Sequence, residues 1–234
     1  MIQVGITERG DAAINKGWSK WVSNGQPCIL ITKDAKTLIE NNRHLFFGPN
    51  LEGNVILHAT ITGLSGTEIE PNVKSSKVQI SYLESLLKQP SFHKERLVIR
   101  LDPIIIPFAL YDSEYRQNIL DIVSLANTYH VRLRISFFDY YPHVRYRFEQ
   151  LKEERWQSLV KSLNEMQPDM HIDISHRKAF LDILREKYAG DIEICGEPGL
   201  PCTGCLSQKD LDIFGISLED EVEKGFQRPA CACL

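Results

Sequence analysis

The feature that most constrains this chain is a hydrophobic period that switches back and forth along its length. Short runs rich in β-branched and apolar residues stand at Ile2–Ile6, Cys28–Thr32, 54–62, 96–102, 131–138, 171–174 and 191–195. Between several of them the apolar residues fall at helical spacing. Segment 77–88 places Val78, Tyr82 and Leu86 on one face, and 114–128 does the same with Ile119, Ile122, Val123 and Ala126. Segments 156–166 and 177–188 repeat the pattern. Ser113, Ser158 and Ser175 are suited to N-caps, and Gly190 to a helix stop. Strands alternating with helices predict an α/β protein with a parallel sheet and helical crossovers. Seven strand candidates suit a TIM-type (β/α) barrel, complete or partial, followed by a cysteine-rich C-terminal tail. The expected division is a barrel over 1–198 and a cysteine-rich segment over 199–234. An open doubly wound sheet is the alternative. No GxGxxG follows the first strand and no GxxxxGK[ST] occurs, which argues against a nucleotide-binding Rossmann or P-loop protein.

The 234 residues are 43% hydrophobic and 25% charged, as in ordinary globular chains. No apolar run reaches the roughly 18 residues of a membrane span, so no membrane partner is expected. The start, MIQVGITERGD, lacks the basic-then-apolar pattern of a secretory leader. A net charge of −4 argues against general nucleic-acid binding. These features predict a reducing, cytoplasmic setting. Clustered thiols there act as metal ligands or redox groups more often than as structural disulfides.

A barrel places its function at the C-terminal strand ends. That rule selects Glu8, Arg9 and Asp11 after the first strand, and Thr60 and Thr62 on the third. It also selects Arg100 and Asp102 on one face of the fourth strand, and Glu197 after the last. Arg100 and Asp102 read either as a ligand-binding or acid/base pair, or as a buried salt bridge. The segment ISFFDYYPHVRYR adds Asp139, Tyr141, His143, Arg145 and Arg147, an aromatic and basic set able to hold an anionic or planar ligand. His58 reads as a satisfied core histidine, and Trp18 and Trp21 as packing residues. The strongest chemical signal is Cys202-Thr-Gly-Cys205 with Cys231-Ala-Cys233. Two close pairs of thiolates suit zinc or an iron–sulfur cluster.

Taken in order, ITERGD, HATITGLSGTEIEPNV, VIRLDPIII, RISFFDYYPHVRYR, ICGEPG and QRPACAC resemble the bacterial domain-of-unknown-function 1848 family. The resemblance runs along nearly the whole chain. It implies a partial or complete TIM-type barrel. It also implies a C-terminal cysteine group similar to the iron–sulfur site of radical S-adenosylmethionine enzymes. The family's CxC falls on Cys231 and Cys233, its R-x-D on Arg100 and Asp102, and its SF-x-D-x-Y on Ser136, Phe137, Asp139 and Tyr141. One departure stands out: family members continue past the CxC into a CxxxCxxC-like group, whereas this sequence stops at Leu234. The expectation is therefore a truncated chain or a lost segment, with four cysteines still able to hold a closed site.

The resemblance implies a 4Fe–4S cluster with S-adenosylmethionine as cofactors. Cys202, Cys205, Cys231 and Cys233 would be the metal ligands. Arg100, Asp102 and Glu197 would be catalytic, and Thr60, Thr62, Ser136, Asp139 and Tyr141 would bind cofactor. Two other readings stand beside it. One is a divalent-metal barrel hydrolase or isomerase using His58, Asp102, Asp139 and Glu197. The other is a non-catalytic protein whose tail binds zinc and docks a partner. None of the three identifies a small-molecule or macromolecular substrate.

Overall fold

The computed structural model describes residues 2–8, 10–49, 51 and 53–217, and the backbone alone of 222–225. Its strands are β1 (Ile2–Ile6), β2 (Cys28–Thr32), β3 (Val55–Thr60), β4 (Leu97–Ile104), β5 (Arg132–Phe137), β6 (Ile192–Ile194) and β7 (Val222–Gly225). Every pairing is parallel, in the order β6-β5-β4-β3-β2-β1-β7. Strands β1 to β6 lie side by side in chain order, and the sheet curls into a half-barrel. Among the described residues no pairing joins β6 to β7, so the ring that a complete barrel requires is not closed.

Nine α-helices are described: α1 (Trp18–Ser23), α2 (Ala35–Asn41), α3 (Ser76–Leu87), α4 (Ile106–Tyr111), α5 (Ser113–Tyr129), α6 (Pro142–Phe148), α7 (Glu154–Met166), α8 (Ile174–Arg185) and α9 (Gln208–Phe214). The strands are buried on both faces, as parallel strands under crossover helices must be. β3 shows it fully, with all six residues buried. Alternation sorts the side chains into two layers. Leu30, Leu57, Ile99 and Ile135 point outward into one core with Leu83, Ile119, Ile122, Trp156 and Leu181 of the helices. Ile6, Ile29, Ile56 and Val98 point inward, where Leu206, Phe214 and Ile216 cover them. The segment 199–217 thus packs into the same half-barrel as the strands.

The expected strand at 171–174 is absent. Asp173 instead accepts a hydrogen bond from the Ser175 N–H and caps α8, so Ile174 opens a helix. An aspartate also takes the cap from the expected serine at α5, where the Asp112 side chain accepts from the Tyr115 N–H. Ser158 lies inside α7, which begins at Glu154. Gly190 does not stop α8, which ends at Arg185. Its role is clearance: a Cβ there would lie 2.9 Å from the Tyr188 ring. Trp18 and Trp21 are packing residues whose indole N–H groups donate to the carbonyls of Ala12 (2.8 Å) and Pro27 (3.1 Å).

Candidate active site

The strand ends open into a cavity of about 890 Å³. Chain order explains its lining. Lys33 follows β2, Thr60 ends β3, Arg100 and Asp102 lie on β4, and Ser136 lies on β5. Asp139 and Tyr141 follow β5, and Cys195, Glu197, Cys202 and Cys205 follow β6. The side chains alternate in register: Thr60 pairs with Arg100, and Arg100 with Arg134.

Below the cavity a buried ionic layer fixes the floor. Arg132 Nε donates to Glu193 Oε1 at 2.7 Å, and Arg134 Nη2 donates to Asp210 Oδ2 at 2.9 Å. Arg134 also donates to the Cys205 carbonyl at 2.8 Å. Asp210 sits at N3 of α9 in a capping box with Ser207, so the helix that plugs the inner face is also locked to β5. Burial opposes the charge on Asp210. His58, Arg134 and Arg132 outweigh it and hold the carboxyl well below the usual carboxylate range. Burial also opposes the charge on Glu193, and Arg132 and Arg134 outweigh it there. His58 is fully buried, as a core histidine, but it is not satisfied. Neither ring nitrogen has a hydrogen-bond partner, and Asp210 Oδ1 lies 4.0 Å away. Burial and the charge of Arg134 push it down to about 3.

On the cavity wall Arg100 forms an ion pair with Asp102, and the Ser136 hydroxyl donates to the same carboxylate. Burial opposes the charge on Asp102, but Arg100 and Ser136 hold the carboxyl low. Arg100 Nε and Nη1 are buried without a hydrogen-bond acceptor. Glu197 accepts from the Phe137 N–H at 2.5 Å and from Arg177 at 3.1 Å. Burial still pushes its carboxyl up. Gly196, at φ 67°, takes the turn that brings Glu197 round after Cys195. At the mouth, His171 Nδ1 lies 2.8 Å from Asp139 Oδ1, and the Tyr141 hydroxyl donates to Asp139 Oδ2 at 3.3 Å.

The cavity therefore gathers Thr60, Arg100, Asp102, Ser136, Asp139, Tyr141, Glu197, Cys202 and Cys205 from the sequence-derived set. Thr62 is not on its wall; its hydroxyl donates to Glu70 at 2.5 Å inside the loop after β3. Glu8 lines the cavity, whereas Asp11 ties its own loop to β2 by accepting from Thr32 and the Lys33 N–H. His143 stacks on Tyr141, and Arg145 lies over the Tyr140 ring, 4.4 Å from its centre. Arg9, Cys231 and Cys233 lie outside the described residues. Lys33 and His171 line the cavity without having been marked by sequence, and Cys195 lines it although it was marked only as a strand-end residue and not as a ligand. Cys195 had a signal, since it immediately precedes the strand-end Gly196-Glu197. His171 had none, because only the fold of 166–174 brings it beside Asp139.

Among the described residues no group of three His, Cys, Asp or Glu side chains converges to hold a metal ion. No described helix is long and apolar enough to cross a membrane. The fold and cavity together define an α/β half-barrel with a polar, thiol-edged pocket at the C-terminal strand ends. The chain belongs to the family described as Domain of unknown function (DUF1848), whose model matches residues 23–234. No curated protein and no solved structure matches it.

Proposed function

We propose that this cavity is the active site of an iron–sulfur enzyme that uses S-adenosylmethionine. The observation that carries the reading is the shared wall: Cys202 and Cys205 line the same cavity as Arg100, Asp102, Ser136 and Glu197. The residues suit such a group in two ways. Thiolates are the donors that iron–sulfur clusters take. The buried, unpaired Arg100 nitrogens are coupled electrostatically to Cys195 and Cys205, and a negatively charged thiolate-bound group would partner them. Cys231 and Cys233 complete the donor set in this proposal, in which three of the four thiolates would hold the cluster and one iron would stay open to S-adenosylmethionine. β7 runs parallel to β1, so the chain leaves it at the sheet edge where the cavity opens. Cys231 follows within about 20 Å of extended chain.

When bound, such cofactors supply one-electron radical chemistry. The protein's share is positioning and charge. A cavity of about 890 Å³ lies within the roughly 300–1,000 Å³ of small-molecule sites. Asp102, held ionised by Arg100 and Ser136, offers a fixed negative charge on the wall. Thr60 and Ser136 present hydroxyls toward the cavity. Glu197, whose carboxyl burial pushes up, is the group best placed to keep or pass a proton. The divalent-metal reading has weaker support, because no three His, Asp or Glu donors converge among the described residues; the zinc-docking reading draws on the same thiols, and the metal retained decides between it and the cluster.

Anaerobic reconstitution of the full chain with iron and sulfide tests the proposal. The expected result is a brown protein absorbing near about 400 nm that cleaves S-adenosylmethionine. A colourless, iron-free chain overturns it. So does equimolar zinc retained in air with no S-adenosylmethionine binding.

A further inference from the structure

Among the described residues, the cysteine set against Cys205 is not its CxxC neighbour. Cys195 Sγ lies 3.4 Å from Cys205 Sγ, and both side chains are buried at the cavity wall. Cys202 is turned elsewhere. Its sulfur accepts from the Glu197 N–H at 3.0 Å, and its S–H faces the Glu197 carbonyl at 3.1 Å.

The approach of Cys195 to Cys205 is built into the backbone. The Cys195 N–H donates to the Ile135 carbonyl at 2.9 Å, which anchors it to β5. Thr203 returns to the end of β6, its N–H donating to the Ile194 carbonyl at 2.8 Å and its hydroxyl to the same atom at 3.1 Å. Arg134 then holds the Cys205 carbonyl. Both ends of the thiol pair are therefore pinned by groups outside the loop that joins them.

We propose that Cys195 and Cys205 form a redox-active dithiol, oxidised within the cavity by a peroxide to an internal disulfide. One thiol takes an oxygen from hydrogen peroxide to become a sulfenic acid, and one water leaves. The second thiol attacks that sulfur, the S–S bond forms, and the sulfenic oxygen leaves as a second water. Two sulfurs lose one electron each, and the peroxide is reduced by two electrons. A bond of about 2.05 Å needs the sulfurs to close by little more than 1 Å, a shift within side-chain freedom. A dithiol reductant restores the pair by thiol–disulfide exchange. The inference needs neither iron nor S-adenosylmethionine. In the disulfide state it removes Cys205 from the thiolates available to a metal.

The full chain, reduced and stripped of metal with a chelator, is exposed to equimolar hydrogen peroxide. Remaining thiols are alkylated, and the chain is digested with trypsin and then cut after proline, since Pro198 and Pro201 separate Cys195 from Cys202 and Cys205. The expected product is a cross-link between the peptide holding Cys195 and the peptide holding Cys205, with Cys202 alkylated, reversed by dithiothreitol. It should exceed any Cys202–Cys205 disulfide by about tenfold. It should persist in C202S and vanish in C205S. A Cys202–Cys205 disulfide as the main product overturns the proposal, as does oxidation to sulfinic acid without a cross-link. The mapping on the unsubstituted chain decides the matter even if a variant fails to fold. Iron loading is not part of the readout, so failure here leaves the cluster proposal standing, and failure of the cluster leaves this one standing.

Discussion

Asp210 has no exposed surface and answers two guanidinium groups, Arg132 and Arg134. Removing one partner of a buried pair leaves an uncompensated charge, at a cost of roughly 3–5 kcal/mol. Asp210→Ala is expected to lower the unfolding free energy read from urea melts by that order. His58 gives a second test through pH. Its folded pKa, about 3, lies below the ordinary 6.5, so the unfolded chain binds the extra proton first. Stability from neutral His58 is complete above pH 6.5 and is lost as pH falls toward 3. The wild type should lose up to about 1.4 kcal/mol per pH unit through this group below 6.5. His58→Gln should flatten that slope in urea melts at pH 7, 6 and 5. Much at this scale was legible. Alternation alone placed Arg100 beside Asp102, and Arg132, Arg134 and Ser136 on one face. The partners were not legible, because Asp210 and Glu193 come from distant segments that only the curled sheet brings to β5.

Helix α9 is only seven residues long and is held from outside as well as by its own turns. The Ser207 hydroxyl accepts from the Asp210 N–H and from Arg132 Nη2 at 2.9 Å. An exposed cap is worth about 1 kcal/mol. Ser207→Ala should cost more than that, about 2 kcal/mol, because it also strips an acceptor from buried arginines. Hydrogen exchange should then rise in 208–216 while β3 and β4 stay protected. A rise confined to the first turn would argue that α9 is held by its cap alone. The long amphipathic helices α3, α5, α7 and α8 were readable from their period. The false strand at 171–174 has apolar Ile172 and Ile174 alternating with polar residues, and the Asp173 cap outweighed that pattern. β7 was missed for the opposite reason: VEKG has little strand character, and its pairing with β1 is backbone hydrogen bonding that sequence pattern does not report.

At the scale of the molecule, one curved sheet separates two environments. Its outer face is an apolar core under the helices, and its inner face carries a smaller apolar cluster and a buried ionic layer beneath a polar cavity. The strand-end rule found most of the upper layer before any coordinates, since a parallel α/β sheet collects its variable loops at one edge. It could not say how far the sheet closes, which depends on pairings between chain ends. The thiols were the least legible part. Spacing drew the eye to CxxC, whereas β6 and Thr203 set Cys195 against Cys205.

The central claim is that these strand ends and thiols form one metal-bearing site. Iron and sulfide per chain, measured after anaerobic reconstitution of the full chain and of Cys205→Ser, test it most directly. The account predicts about four irons in the wild type and under a tenth of that in the variant. An iron-free wild type, or a variant that loads iron undiminished, would contradict it.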